Sequence, residues 1–278
     1  MLGLSIDYGR IDATAPDAVA LARRLRTEPD WLGLSVTMPM KQPMLAQMDH
    51  VQPLAATLGA LNTVVVDRGP DGVALRGFNT DVPGIVAALG AAGATRAEPT
   101  SSGMDQTRTG ALVIGAGGTA AAALAALHDL GHVHVVVAVR ALERVHELPQ
   151  VAKALGLSVE FIDFDALTSL RPTPGAVVIS TLPAGAADRL AQTVAAHAKP
   201  GMVLLDVAYA QWPSVLSTAW ISAGGTAVHG LSMLVHQAVE QVAIFTGRDE
   251  ALNAEFRAAL CDEVGITRDG TAAAHVAG

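Results

Sequence analysis

The stretch Ala111–Leu130 reads ALVIGAGGTAAAALAALHDL. Its apolar opening, Ala111 to Ile114, has the character of a buried strand, and it breaks at Gly115-Ala116-Gly117-Gly118. The Ala/Leu-rich run that follows has high helix propensity. Strand, glycine turn and helix in this order aim helix N-terminal N–H groups at a phosphate. The glycines let the backbone turn tightly and approach a pyrophosphate closely. The spacing departs from G-x-G-x-x-G in placing Ala120 at the third glycine position, which the pattern accepts. The same turn also occurs in α/β cores that bind no nucleotide, so the residues around it have to decide.

Downstream the chain alternates. Strand-like runs at 133–139, 158–162, 176–180 and 202–207 are separated by helical segments at 118–130, 141–155, 165–170, 186–198 and 213–223. Near-continuous apolar strands alternating with helices predict a doubly wound parallel sheet. A last strong helix is predicted over 231–245, where apolar residues at 231, 234, 235, 238, 239 and 242 follow the helical period.

Upstream the pattern is mixed. DAVALARRLR (17–26) reads as a helix, LGLSV (32–36) as a strand, and short helices follow from about Pro43 and over 52–60. Thr63–Asp67 and Val73–Phe78 flank Gly69-Pro70-Asp71-Gly72, which is a hairpin signal. Asn79-Thr80-Asp81 then leads into a helix, with Thr80 or Asp81 as its cap and Pro83 in its first turn. The polar run ATRAEPTSSGMDQTR (95–109) reads as a surface linker ahead of the glycine turn.

Composition narrows the function. At 278 residues the chain is long enough for two domains. The mean hydropathy of +0.39 is high, but much of it is Ala and Val. The longest apolar run, 111–127, is interrupted by Gly115, Gly117, Gly118 and Thr119, so no membrane span is expected. MLGLSIDYGRID lacks a basic opening and carries Asp7, which is unlike a signal peptide. A net charge of −8 without a basic cluster gives no support for nucleic-acid binding. The single cysteine, Cys261, excludes a disulfide framework within the chain and reads as a small core residue on a C-terminal helix. His229 and His236 lack ligand spacing with any partner, so no metal is assigned. A cytoplasmic protein acting on a small molecule is the expectation, as a monomer or a homodimer.

Arg140 ends the second strand of the alternating half, where dinucleotide folds place the group that reads the ribose. Residues 131–142 contain no Asp or Glu, and Arg144 follows four positions later. Two guanidinium groups suit the 2′-phosphate of NADP, although two surface arginines would look the same in sequence. Lys41 and Asp81 each follow a strand-like segment of the first half, where a lysine near a carboxylate can move a proton at a carbonyl or alcohol oxygen. Thr37, Asn62, Asn79, Tyr209 and Gln237 are further polar groups that suit a polyhydroxylated ligand, or that serve as ordinary turn and helix-face residues.

These stretches line up with one family. LSVTMPMK (34–41), LGALNT (58–63), FNTD (78–81), IGAGGTA (114–120), STLPA (180–184) and GLSMLVHQA (230–238) occur in this order. Together they resemble shikimate dehydrogenases, and DVAYAQWPSVL (206–216) is similar to the actinobacterial branch. The resemblance implies a two-domain α/β enzyme that reduces 3-dehydroshikimate to shikimate with NADPH. Residues 1–83 with 233–278 would form an α/β substrate domain, and 84–232 a Rossmann-like NADP domain. It further implies Lys41 and Asp81 as catalytic residues. Thr37, Asn62, Asp81, Tyr209 and Gln237 become substrate-binding residues. Gly115, Ala116, Gly117, Gly118, Thr119 and Ala120 form the phosphate loop, Arg140 and Arg144 the 2′-phosphate clamp, and Gly230 and Met233 flank the nicotinamide.

Two departures stand out against this family. The clamp reads Val139-Arg140-Ala141-Leu142-Glu143-Arg144, keeping both cations but not the Asn and Thr of the family pattern. Discrimination of NADP from NAD is therefore expected to be less sharp. The family also opens with a strand and an S-x-S-P loop whose serines bind the substrate carboxylate, whereas MLGLSIDYGRID resembles the segment after that unit's helix. A start placed at an internal Met would account for this. The chain as written is expected to bind NADP(H) but to turn shikimate over poorly or not at all. A quinate/shikimate dehydrogenase with relaxed cofactor use and a non-catalytic NADP-binding protein are the rival readings.

Overall fold

The computed structural model describes residues 3–97, 108–248 and 253–271, and the side chains of Arg108, Thr109 and Arg144 are not among the features described. Most of the linker read at 95–109 lies outside the described residues. The chain divides into two compact units, one of residues Met1–Thr80 with Ala238–Arg257 and one of Asp81–Gln237 with Ala258–Gly278.

In the first unit α1 (Ala18–Thr27) precedes β1 (Gly33–Ser35), α2 (Lys41–Leu45), β2 (His50–Val51), α3 (Pro53–Leu58), β3 (Thr63–Gly69) and β4 (Gly72–Phe78). The sheet order is β1-β3-β4-β2. The hairpin expected from Gly-Pro-Asp-Gly is present, with Gly69 opposite Gly72 and every pair down to Thr63–Phe78 in antiparallel register. The β2–β4 pair is parallel. One face of α1, Leu21 and Leu25, packs with Met44, Leu61, Val64 and Leu75 into the core of this unit. Burying each of these side chains contributes roughly 1.5–3 kcal/mol against solvent.

The second unit opens with α4 (Asp81–Ala91) and continues through β5 (Arg108–Ile114), α5 (Gly118–Asp129), β6 (His134–Val139), α6 (Leu148–Leu155), β7 (Ser158–Asp163) and β8 (Arg171–Ser180). Then come α7 (Ala191–Ala195), β9 (Val203–Asp206), α8 (Val215–Ser222) and β10 (Thr226–His229). The sheet order is β10-β9-β8-β5-β6-β7, and all its pairs are parallel. Counted from β5, this is the doubly wound order whose direction reverses between the first and fourth strands. The fold expected from the alternating pattern is the fold observed. Helix α9 (Gly230–Thr246) begins in the second unit and ends in the first, and α10 (Ala254–Glu263) follows.

Three local expectations are revised. The predicted helix over 141–155 is a single 3-10 turn at Leu142–Arg144 followed by α6, whose second residue is Pro149. A proline is suited to a first turn and not to a helix interior, so the helix starts there. The helix expected over 186–198 is likewise a 3-10 turn, Asp188–Leu190, leading into α7. A sixth strand, β10, had no reading in the sequence. Helix α5 is apolar all round and buries Ala120 through Leu127 without a gap. A helix of that kind belongs inside a layered core, and no helix among the described residues is long and apolar enough to cross a membrane.

Candidate active site

The glycine turn sits at the carboxyl end of β5, next to the point where the strand order reverses. Gly115 has φ +110°, and a Cβ there would lie 2.6 Å from Thr181 Oγ1. Only glycine fits this left-handed, crowded position. Its N–H donates to the Ala138 carbonyl at 2.8 Å, tying the turn to the end of β6. Gly117 is extended and precedes the first residue of α5. A Cβ on Gly117 would meet nothing within 4 Å, and Ala116, Gly117 and Gly118 are exposed. The start of α5, at Gly118 and Thr119, therefore borders open space that can take a phosphate, while the Ala120 N–H donates to the Gly117 carbonyl at 2.9 Å.

Arg140 is exposed immediately beyond β6, on the same edge of the sheet as the glycine turn. Arg144 ends the 3-10 turn that follows, and its side chain lies outside the described features. The space at Gly117 and the cation at Arg140 fit a pyrophosphate and a 2′-phosphate, respectively.

The carboxyl edge carries more polar groups than the sequence reading singled out. Ser180, Asp206 and His229 end β8, β9 and β10 in mutual register and are buried. Burial pushes the Asp206 carboxyl above its ordinary range, against the hydrogen bonds donated by Ser214 Oγ at 2.7 Å and the Ala208 N–H at 3.3 Å. His229 lies against the Trp212 ring, centroids 4.4 Å apart. Its Nδ1 accepts the N–H of Leu231 at 2.9 Å, in the first turn of α9. Burial pushes the imidazole down to about 4.

The sign of the His229 effect is definite. Between about pH 6.5 and pH 4 the folded state holds fewer protons than the unfolded chain. His229 therefore adds stability above pH 6.5 that is lost as pH falls through this window, on the order of 3 kcal/mol. In His229→Asn an amide oxygen replaces the titrating acceptor. The melting temperature of this variant should fall less than that of the wild type between pH 7 and pH 4.5. Parallel pH profiles would remove His229 from the acid response.

Gly230 opens α9 immediately after His229. A Cβ there would lie 2.4 Å from the Val207 carbonyl oxygen and 3.0 Å from that of Asp206, so α9 leaves the sheet in backbone contact with the end of β9. Met233 is buried one turn later. On the same helix Gln237 donates from Nε2 to the Leu234 carbonyl at 3.0 Å. Tyr209 follows β9 and remains 55% exposed. Asp81 is the buried first residue of α4.

In the first unit the structure brings Thr37, Lys41 and Asn62 together. The N–H of Val36, at the end of β1, donates to the Asn62 carbonyl at 2.7 Å. The Thr37 carbonyl accepts from Met40, and the Lys41 carbonyl accepts from Leu61 at 3.2 Å. The turn between β1 and α2 is thus pinned to the chain entering β3. Thr37 is exposed and lines a cavity of about 1360 Å³ that also receives Ser35, Met38, Phe245 and residues 5–14. Lys41 is half-buried at the head of α2. Asn62 is only 1% exposed. Asn79 is also buried and donates to the Ala60 carbonyl at 3.0 Å, a structural role that accounts for it without a ligand.

Gln241 was not among the sequence candidates. It is buried on α9 and bonds to Ser35, Asn62 and Thr63. Its place one helical turn after Gln237 was the available signal. Cys261 is buried on α10 beside Val235 and Ile266, and burial raises its thiol, consistent with a packing role. No cluster of three or more metal-ligating side chains occurs among the described residues.

Comparison with known proteins bears on these residues. Residues 1–64 match the shikimate dehydrogenase substrate binding domain, and residues 230–251 match the shikimate 5′-dehydrogenase C-terminal domain. The chain is 35% identical over 277 residues to a shikimate dehydrogenase (NADP(+)) of Methylobacterium radiotolerans, covering 92% of this chain and 86% of that protein. It is 33% identical over 253 residues to a pentafunctional AROM polypeptide of Yarrowia lipolytica, spanning 88% of this chain but only 15% of that much longer protein. The crystal structure of Mycobacterium tuberculosis shikimate dehydrogenase superposes with a TM-score of 0.68 at 36% identity, covering 87% of this chain and 84% of the other.

Proposed function

Because the chain belongs to the shikimate dehydrogenase family, we propose that it interconverts 3-dehydroshikimate and shikimate with NADP(H), as an enzyme of aromatic (chorismate) biosynthesis. Residues 1–83 with 233–278 are the substrate side and residues 84–232 the cofactor side. The observation that carries this reading is the pinned arrangement of Thr37, Lys41 and Asn62. Its backbone bonds bring a threonine, a lysine and an asparagine into one knot, residue types whose donors suit a polyhydroxylated ring.

When bound, NADPH supplies the hydride. The chain's own residues bind, orient and manage the proton. Lys41 gives a proton to the oxygen that becomes the alcohol, and Asp81 is the carboxylate that serves a substrate hydroxyl. Thr37, Asn62, Tyr209 and Gln237 hold the remaining polar groups of the ring. The first turn of α5, from Gly115 to Ala120, takes the pyrophosphate. Arg140 with Arg144 takes the 2′-phosphate, and Gly230 and Met233 border the nicotinamide.

The reading is tested by shikimate-dependent reduction of NADP+ followed at 340 nm, beside NAD+ and quinate, with calorimetric titration of NADPH. NADPH binding together with weak reduction that depends on shikimate is expected. Turnover with another cyclic acid but not with shikimate would overturn it. Arg140→Ala should raise the KM for NADPH by roughly tenfold to a hundredfold, the worth of a charge-assisted hydrogen bond, and leave the KM for NADH unchanged. Equal losses with both cofactors would place Arg140 outside the 2′-phosphate site.

A further inference from the structure

Asn62 is held in place by a chain of hydrogen bonds that ends on a helix far away in sequence. Its Oδ1 accepts the Thr80 N–H at 2.8 Å and the Thr63 hydroxyl at 2.9 Å. Its Nδ2 donates to Thr80 Oγ1 at 2.9 Å. A backbone N–H can only donate, so the Thr80 amide fixes which side of the carboxamide is oxygen.

The Thr63 hydroxyl is the ambiguous member, because a hydroxyl has one proton and can point it several ways. Gln241 removes the ambiguity. Its Nε2 donates to Thr63 Oγ1 at 2.9 Å and to the Asn62 carbonyl at 3.0 Å. The Asn62 carbonyl can only accept, so it fixes which end of the Gln241 amide is nitrogen, and Oε1 accepts from Ser35 Oγ at 2.7 Å. With a donor already on Thr63 Oγ1, the Thr63 proton is directed to Asn62 Oδ1. Gln241 and Asn62 are 5% and 1% exposed, and Thr63 is fully buried, so no solvent competes for the bonds among these three. All of these residues lie in the first unit.

We propose that Gln241 is a positioning residue for the reaction, orienting Asn62 toward substrate through the Thr63 hydroxyl. It touches neither substrate nor cofactor itself. The proposal rests on the reading of Asn62 as a substrate-binding residue.

Three variants separate this role from packing. Gln241→Met keeps the volume and removes both hydrogen-bonding ends. Gln241→Glu keeps the shape but puts an acceptor where Thr63 needs a donor, which draws the Thr63 proton away from Asn62. Thr63→Val keeps the volume of Thr63 and breaks the relay. The KM for shikimate should rise about tenfold or more in each, the loss expected from disturbing a buried hydrogen-bond relay, with the KM for NADPH unchanged. The double variant Gln241→Met/Thr63→Val should be no worse than either single one, because both act through the same bond.

A second readout is independent of turnover. Amide hydrogen exchange at Thr80, whose N–H bonds to Asn62 Oδ1, should speed up in all three variants. The amides of Val64 and Val66 in β3 should stay protected. Wild-type failure to bind or oxidise shikimate would overturn the functional reading, and Thr80 exchange would still decide the role of Gln241. Unchanged Thr80 exchange, additive losses in the double variant, or simultaneous loss of protection at Val64 and Val66 would each overturn the proposal.

Discussion

Lys41→Ala lowers kcat by about 10²–10⁴-fold, the range for removing a positioned proton donor, and changes the KM for shikimate by much less. The asymmetry follows from the role proposed for the lysine. Its ammonium is worth most when the carbonyl oxygen has gained negative charge, that is, in the transition state. The backbone part of this residue's role survives the substitution. Lys41 contributes to the fold through its carbonyl, which accepts from Leu61, and through the helical backbone of α2 that it begins. Alanine keeps both and has better helix propensity. Steady-state kinetics beside a thermal melt check this. A kcat equal to that of the wild type, at equal melting temperature, would take Lys41 out of the chemistry.

Gly230→Ala is expected to have the largest effect on the fold, a destabilisation of about 3 kcal/mol or more. The added methyl would fall 2.4 Å from one backbone carbonyl oxygen and 3.0 Å from another, and neither belongs to a side chain that can swing away. Relief requires α9 to separate from the end of β9, which would pull on the β9–β10 pairing and on the His229–Leu231 bond as well. Urea unfolding followed by fluorescence measures the loss. Gly117→Ala is the informative control, since a Cβ there meets nothing within 4 Å. It should fold with near-normal stability and lose affinity for NADPH, because the methyl would occupy the space proposed for the pyrophosphate. Equal stability losses in the two variants would show that the contact at Gly230 is not rigid.

Much of the fold was legible because its signals are local. The alternation of apolar runs with helical segments from 111 onward predicted the doubly wound sheet, and Gly-Pro-Asp-Gly predicted the β3–β4 hairpin. The strand β10 was not legible. It is four residues long, lies between Gly225 and the first residue of α9, and owes its existence to parallel pairing with β9. Such short apolar runs have no distinguishing periodicity of their own. The division of 141–155 turns on Pro149, which sits in the first turn of α6 inside an otherwise helical pattern.

The candidate site divides in the same way. Glycine turns and strand-end cations announce themselves by spacing, and the motifs around Lys41 and Asn62 by their order along the chain. Gln241 could not be found so, because its bond to Asn62 joins residues 179 positions apart. His229 was visible only as a histidine without a metal partner. Its acceptor role at the start of α9 depends on where β10 ends, and its lowered pKa on what covers it.

Helix α5 has a consequence for the energetics of the cofactor side. Its continuous buried run, Ala120 through Leu127, consists of alanines with two leucines. Alanine surrenders no rotamer freedom on folding, so ordering this helix loses backbone entropy and almost no side-chain entropy. Each alanine in turn gains little from leaving water. The helix behind the phosphate loop is thus held with modest driving forces on both sides of the balance, and its position is set by how closely backbone can approach backbone. Natural variation at these positions should then run toward glycine or serine and rarely toward anything larger than alanine, since each added methylene would push the N-terminus of α5 away from the anion site proposed there.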